Sequence, residues 1–165
     1  MALTTNDRRL TTAPALIVAY GNPLRSDDGL AWRAAEILRR ELPPTSAEIV
    51  CVHQLAPELA ESASRASLVV FIDAALNGEP GHLTCEPVPE ATSEQNVDVP
   101  GSHRFTPAAV ISLAQQLYGS APRALCISLT GKYFEHGESL SEEVANALPK
   151  LIAAVIEVVD ERSDR

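Results

Sequence analysis

The chain has 165 residues, 45% of them hydrophobic and 21% charged, which fits one globular domain with a real core. Against 13 basic residues stand 22 acidic ones, for a formal net charge of -9, and basic residues adjoin only at Arg8-Arg9 and Arg39-Arg40. This excludes a nucleic-acid backbone as partner, which needs a concentrated basic face, and no apolar run approaches the roughly 18–20 residues of a membrane span.

Residues 1–12 are polar and expected to fray. Ala15 to Tyr20 reads as a buried strand, short, apolar and bounded by Pro14 and Gly21. Gly29 to Leu42 reads as a helix, with Leu30, Ala34, Ile37, Leu38 and Leu42 at helical spacing and Pro43-Pro44 as its stop. Ala47 to Val52 is a second strand and Pro57 to Arg65 a short helix, with Pro57 in its tolerant first turn. Ser67 to Ile72 is a third strand ending directly at Asp73. His82 to Val88 is a weaker strand whose flanking prolines mark it as an edge. Residues 89–102 are polar and read as a loop, of a length that is often functional. Thr106 caps a helix that runs to Tyr118, with Pro107 behind the cap. Arg123 to Leu129 is the last strand, and Ser141 opens a final helix striped by Val144, Leu148, Leu151, Ile152, Val155 and Val159.

Strands alternate with helices, and the strand cores are continuous apolar runs. Both features point to an α/β fold with a mostly parallel sheet of about five strands covered on both faces. One domain over 1–165 accounts for the whole pattern. Cys51, Cys85 and Cys126 stand far apart in apolar segments, without metal-knuckle or redox spacing. They are expected to be buried, reduced core residues, as suits the cytoplasm. Arg8-Arg9 is not read as an export signal, because the apolar run after it is short and cleavage would remove the first strand.

The chemistry concentrates at one sheet edge. In a parallel sheet the carboxyl ends of the strands share an edge, where ligands bind. Asp27 and Asp28 follow strand one, Asp73 ends strand three, and His103 lies between the polar loop and a helix. Two carboxylates and an imidazole form a plausible divalent transition-metal site. The alternatives are structural: Asp27 and Asp28 as helix caps, Asp73 as a turn residue, His103 as a solvated loop residue. His53, His82 and His136 are expected to be structural or exposed, and Glu36 and Glu41 solvated. There is no Gly-x-Gly-x-x-Gly, Walker loop, Gly-x-Ser-x-Gly or His-Glu-x-x-His, so nucleotide binding, the common serine hydrolase layout and the ordinary zincins lack support.

Gly21-Asn22-Pro23-Leu24-Arg25-Ser26-Asp27-Asp28-Gly29, Phe71-Ile72-Asp73-Ala74 and Gly101-Ser102-His103 together resemble the motifs of the [NiFe]-hydrogenase maturation endopeptidases, peptidase family M52. The segments His53 to Ala60 and Gly131 to Val144 are similar to that family as well, so the resemblance runs from about Pro14 to Val159. Ala19 and Ala31 stand where the family often has Gly, and Asp28 where some members have Glu.

The resemblance implies a three-layer α/β/α sandwich around a twisted sheet. It implies an endopeptidase that removes the C-terminal extension of a hydrogenase large-subunit precursor once nickel is in place. The nickel is supplied by the substrate, and no permanently bound cofactor is expected. Asp28, Asp73 and His103 are the implied metal contacts, and also the catalytic candidates through that metal. Asp27 is expected to orient backbone or a metal-contacting residue, Glu138 is a weaker candidate for tail recognition, and the loop at 89–102 a segment that orders around the tail. The precursor and its tail are the expected partners, with no nucleic acid and no membrane. Two rival readings stand beside it: a hydrolase with its own permanent metal, and a non-catalytic escort of the nickel-loaded precursor.

Overall fold

A computed structural model describes residues 13–89 and 105–164. Its elements are β1 (Ala15–Tyr20), a 3-10 turn (Ser26–Gly29), α1 (Leu30–Glu41), β2 (Ala47–Val52), α2 (Leu59–Arg65), β3 (Leu68–Ala75), β4 (Leu83–Pro87), α3 (Pro107–Tyr118), β5 (Arg123–Thr130) and α4 (Glu142–Ser163). The five strands form one sheet in the order β2-β1-β3-β5-β4. β2, β1, β3 and β5 run parallel, and β4 pairs antiparallel with β5 at the edge. Helices cover both faces, as the apolar strand runs require.

The core divides accordingly. On one face Ile17, Val70, Ile72 and Ile127 pack against the apolar stripes of α1 and α4. On the other Leu16, Val18, Val69 and Phe71 pack against α2 and α3 through Ala60, Ala63, Val110 and Ala114. Full burial of a Leu, Ile or Phe side chain is worth about 1.5–3 kcal/mol, so these two layers supply the main driving force.

The strand order creates a switch point. From β1 the chain goes through α1 to β2 on one side, then through α2 back to β3 on the other. Both crossovers keep the favoured right hand only if their helices lie on opposite faces, and α1 and α2 do. A crevice therefore opens between the carboxyl ends of β1 and β3.

Local signals match in detail at several ends. Thr106 caps α3 by accepting a hydrogen bond from the N–H of Ala109 at 3.2 Å, and Ser141 caps α4 through the N–H of Val144 at 3.3 Å. Elsewhere the boundaries move. α2 begins at Leu59 rather than Pro57, because residues 56–60 first form tight turns (Leu59 N–H to Ala56 O, Ala60 N–H to Pro57 O). β3 runs on to Ala75, so Asp73 is inside the strand and not at its end. Pairing with β5 as far as Ala75 and Thr130 holds the extra residues extended.

The expectation of three buried cysteines is corrected. Cys85 is exposed on edge strand β4, while Cys51 and Cys126 are half-buried; all three are free thiols. An apolar segment buries both faces only in the interior of a sheet, and β4 is at its margin. Among the described residues, no helix is long and apolar enough to cross a membrane.

Candidate functional site

The chain leaves β1 through Gly21, whose φ of 141° belongs to glycine alone; a Cβ there would lie 2.2 Å from the carbonyl oxygen of Asp28. This close approach folds residues 21–28 back on themselves. The Asn22 N–H donates to Asp28 Oδ2 at 2.7 Å, and Asn22 Oδ1 accepts from the Leu24 N–H at 2.9 Å. Ser26 holds a left-handed φ of 49°, pinned by its N–H to Gly137 O (2.7 Å) and its hydroxyl to Glu135 O (2.9 Å).

Asp27 and Asp28 therefore face different ways. Neither caps α1, whose N-cap is Gly29 with no side-chain hydrogen bond. Asp27 is fully buried and accepts from the backbone N–H groups of Lys132 (2.7 Å), Tyr133 (3.0 Å) and Ser141 (2.7 Å). It ties the loop after β5 and the start of α4 to the loop after β1. Burial by itself would raise its pKa; the three N–H groups and the Ser141 side chain outweigh that and hold it below the ordinary 3.8. Asp27 is an anionic buried clamp, as its expected structural role requires.

Asp28 is only partly buried and lines a cleft of about 1100 Å³ at the carboxyl edge of the sheet. Asp73 lines the same cleft from β3. Its Oδ2 accepts from the Tyr20 hydroxyl at 2.8 Å and its Oδ1 from the Ala74 N–H at 2.7 Å. Arg25, His53, Phe105 and Phe134 are among the other residues that line it. His103 lies outside the described residues, as do residues 90–102 of the polar loop. Among the described residues, no three His, Cys, Asp or Glu side chains are grouped closely enough to hold a metal ion. Asp28 and Asp73 line this one cleft together.

Glu138 does not share it. It lines a separate depression of about 300 Å³, together with Pro23, Trp32 and Arg33. Glu36 and Glu41 are exposed, as are His82 and His136.

Tyr20 is a cleft residue that sequence reasoning missed, while His53, expected to be structural or exposed, is exposed and also lines the cleft. β1 and β3 pair with Ala19 opposite Ile72, so the next rung sets Tyr20 beside Asp73 on the same face. Burial first, then the charge of Asp73, raises the Tyr20 phenol far above its ordinary pKa, so it stays a protonated donor. His53 is the first residue after β2, and its ring meets Trp32 edge-on at 5.3 Å. The Trp32 indole N–H in turn donates to Gly21 O at 2.9 Å. Tyr20 ends β1 and His53 directly follows β2, both at the ligand-binding edge, which was the available signal.

Burial, then the charges of Asp73, Glu86 and Cys85, push the Cys126 thiol up to about 11, away from a nucleophilic thiolate.

No family model matches the chain, and no curated protein is similar to it at the sequence level. Solved structures are similar in fold. A hydrogenase maturating endopeptidase HybD from E. coli superposes with a TM-score of 0.71 at 21% identity, covering 90% of this chain and 93% of that one. A [NiFe] hydrogenase maturation protease HybD from Thermococcus kodakarensis gives 0.67 at 22% identity, covering 88% and 99%. A [NiFe] hydrogenase maturation protease HycI from Thermococcus kodakarensis KOD1 gives 0.70 at 20% identity, covering 90% and 93%. The shared property is the fold: the α/β architecture of this chain is that of the HybD-like proteases over nearly its whole length.

Proposed function

We propose that the protein is an endopeptidase that removes the C-terminal extension of a [NiFe]-hydrogenase large-subunit precursor after nickel insertion. The observation that carries this reading is the pair Asp28 and Asp73 lining one cleft at the switch point of this fold. Two carboxylates in one open cleft suit a divalent cation brought by a partner. In this reading the substrate's nickel completes its coordination through Asp28, Asp73 and His103. The contact docks the precursor and reports that the metal is present.

The chain's own residues then have distinct tasks. Asp28 presents its carboxylate from a loop braced by Asn22, and Asp73 from the interior of a strand. Asp27 keeps the loop in place from the buried side. The long cleft receives the tail. The substrate's nickel polarises the scissile carbonyl or activates water, so that water adds to the carbonyl carbon and the C–N bond breaks. The products are the mature large subunit and the free tail. Activity in the cytoplasm agrees with this substrate.

Conservative substitutions test the ligand roles. Asp28→Asn keeps an acceptor for the Asn22 N–H, and Asp73→Asn keeps one for the Ala74 N–H while its amide can donate to the Tyr20 oxygen, so both should fold. Each, like His103→Ala, is expected to lower tail removal from nickel-loaded precursor by about 100-fold or more, read by mass spectrometry of the large subunit. Near-normal removal by any of them takes that residue out of the site.

A further inference from the structure

We infer that Tyr20 is a positioning residue for Asp73: its hydroxyl fixes the carboxylate in the orientation that meets the substrate's metal. The inference rests on the nickel-docking reading of the cleft and adds a group that this reading does not use.

Register creates the contact. With Ala19 opposite Ile72 in the parallel pair, Tyr20 and Asp73 are lateral neighbours on the face covered by α2 and α3. Tyr20 is half-buried there, packed against the core of that face, so its ring has a fixed place. Its hydroxyl reaches Asp73 Oδ2 at 2.8 Å. The Ala74 N–H reaches Oδ1 at 2.7 Å. These two donors, one on each oxygen, favour one plane for the carboxylate. A carboxylate offers about four lone-pair sites, so these two donors do not exclude a metal contact on the cleft side.

The backbone beneath is equally constrained. Asp73 sits within β3, whose residues ladder with β5 as far as Ala75 and with β1 as far as Ile72. A side chain on such a strand has few ways to turn, and the phenol restricts it further. Partners that orient a metal-binding group in this way typically change metal affinity or activity by 10–100-fold when removed. The Ala74 donor is main chain and belongs to any residue there. The Tyr20 donor is a choice of this sequence, and Phe would fill the same space without it.

The test compares binding of nickel-loaded and nickel-free large-subunit precursor, each with an uncleavable tail, to wild type, Tyr20→Phe, Asp73→Asn and the double variant. Wild type should bind the nickel-loaded form more tightly. Tyr20→Phe should cut that preference, the ratio of the two affinities, by about 10-fold or more. A general loss of structure would weaken both forms alike. In the Asp73→Asn background, Tyr20→Phe should change the preference no further, because the two residues act as a unit. If wild type discriminates and Tyr20→Phe discriminates equally well, the inference is overturned and the nickel-docking reading stands. If wild type does not discriminate, the nickel-docking reading itself is overturned.

Discussion

Asp27 keeps its charge in a fully buried position because backbone N–H groups from Lys132, Tyr133 and Ser141 reach it. Asp27→Asn presents an amide to donors that need an acceptor, and is expected to cost about 1–3 kcal/mol near neutral pH. The pH dependence has a definite sign. The folded pKa lies below the ordinary 3.8, so the folded state binds this proton more weakly than the unfolded one. The stabilisation is complete above 3.8 and is lost as pH falls through the lowered folded value. Urea unfolding across pH should give a constant gap between wild type and Asp27→Asn above about pH 5, narrowing in acid. A gap that stays constant down to about pH 2 contradicts the clamp. From sequence, Asp27 and Asp28 were a pair at a helix start, and capping was the plain alternative. Only the loop from Gly131 to Ser141, over a hundred residues away, separates their tasks. No local pattern encodes that contact. The Tyr20–Asp73 bond was closer to legible, since it follows from pairing two strands that the sequence marks clearly.

Elements were legible where periodicity and capping agree. Thr106-Pro107 marks the start of α3, and the buried stripe of α4 contains every residue that its spacing picks out. Thr106→Ala should cost about 1 kcal/mol in thermal unfolding, since it leaves the Ala109 N–H without its cap. An unchanged midpoint would mean that water replaces the hydroxyl at no cost. Boundaries failed where tertiary pairing extends an element. β3 passes through Asp73 because β5 continues beside it, and a polar residue fits a strand when its side chain faces a cleft. The cysteine expectation failed because apolar neighbours in a strand do not bury a residue that lies at the margin of the sheet. β4 was identified as an edge by its prolines, yet Cys85 was still assigned to the core.

At the scale of the molecule, the order β2-β1-β3-β5-β4 turns two distant motifs into one site. Reversal of winding direction between β1 and β3 opens the crevice, and the chain supplies Asp28 from one lip and Asp73 from the other. Alternation of strands and helices made the fold class legible, but strand order is a long-range property that periodicity does not carry. His103, outside the described residues, is the third member of the proposed ligand set.

The central claim is that this cleft reads nickel in its substrate before cutting. The most direct measurement is tail removal from large-subunit precursor prepared with and without nickel, followed by the mass of the large subunit over time. The account predicts loss of the tail from the nickel-loaded precursor and an intact tail on the nickel-free one. Equal cleavage of both would contradict it.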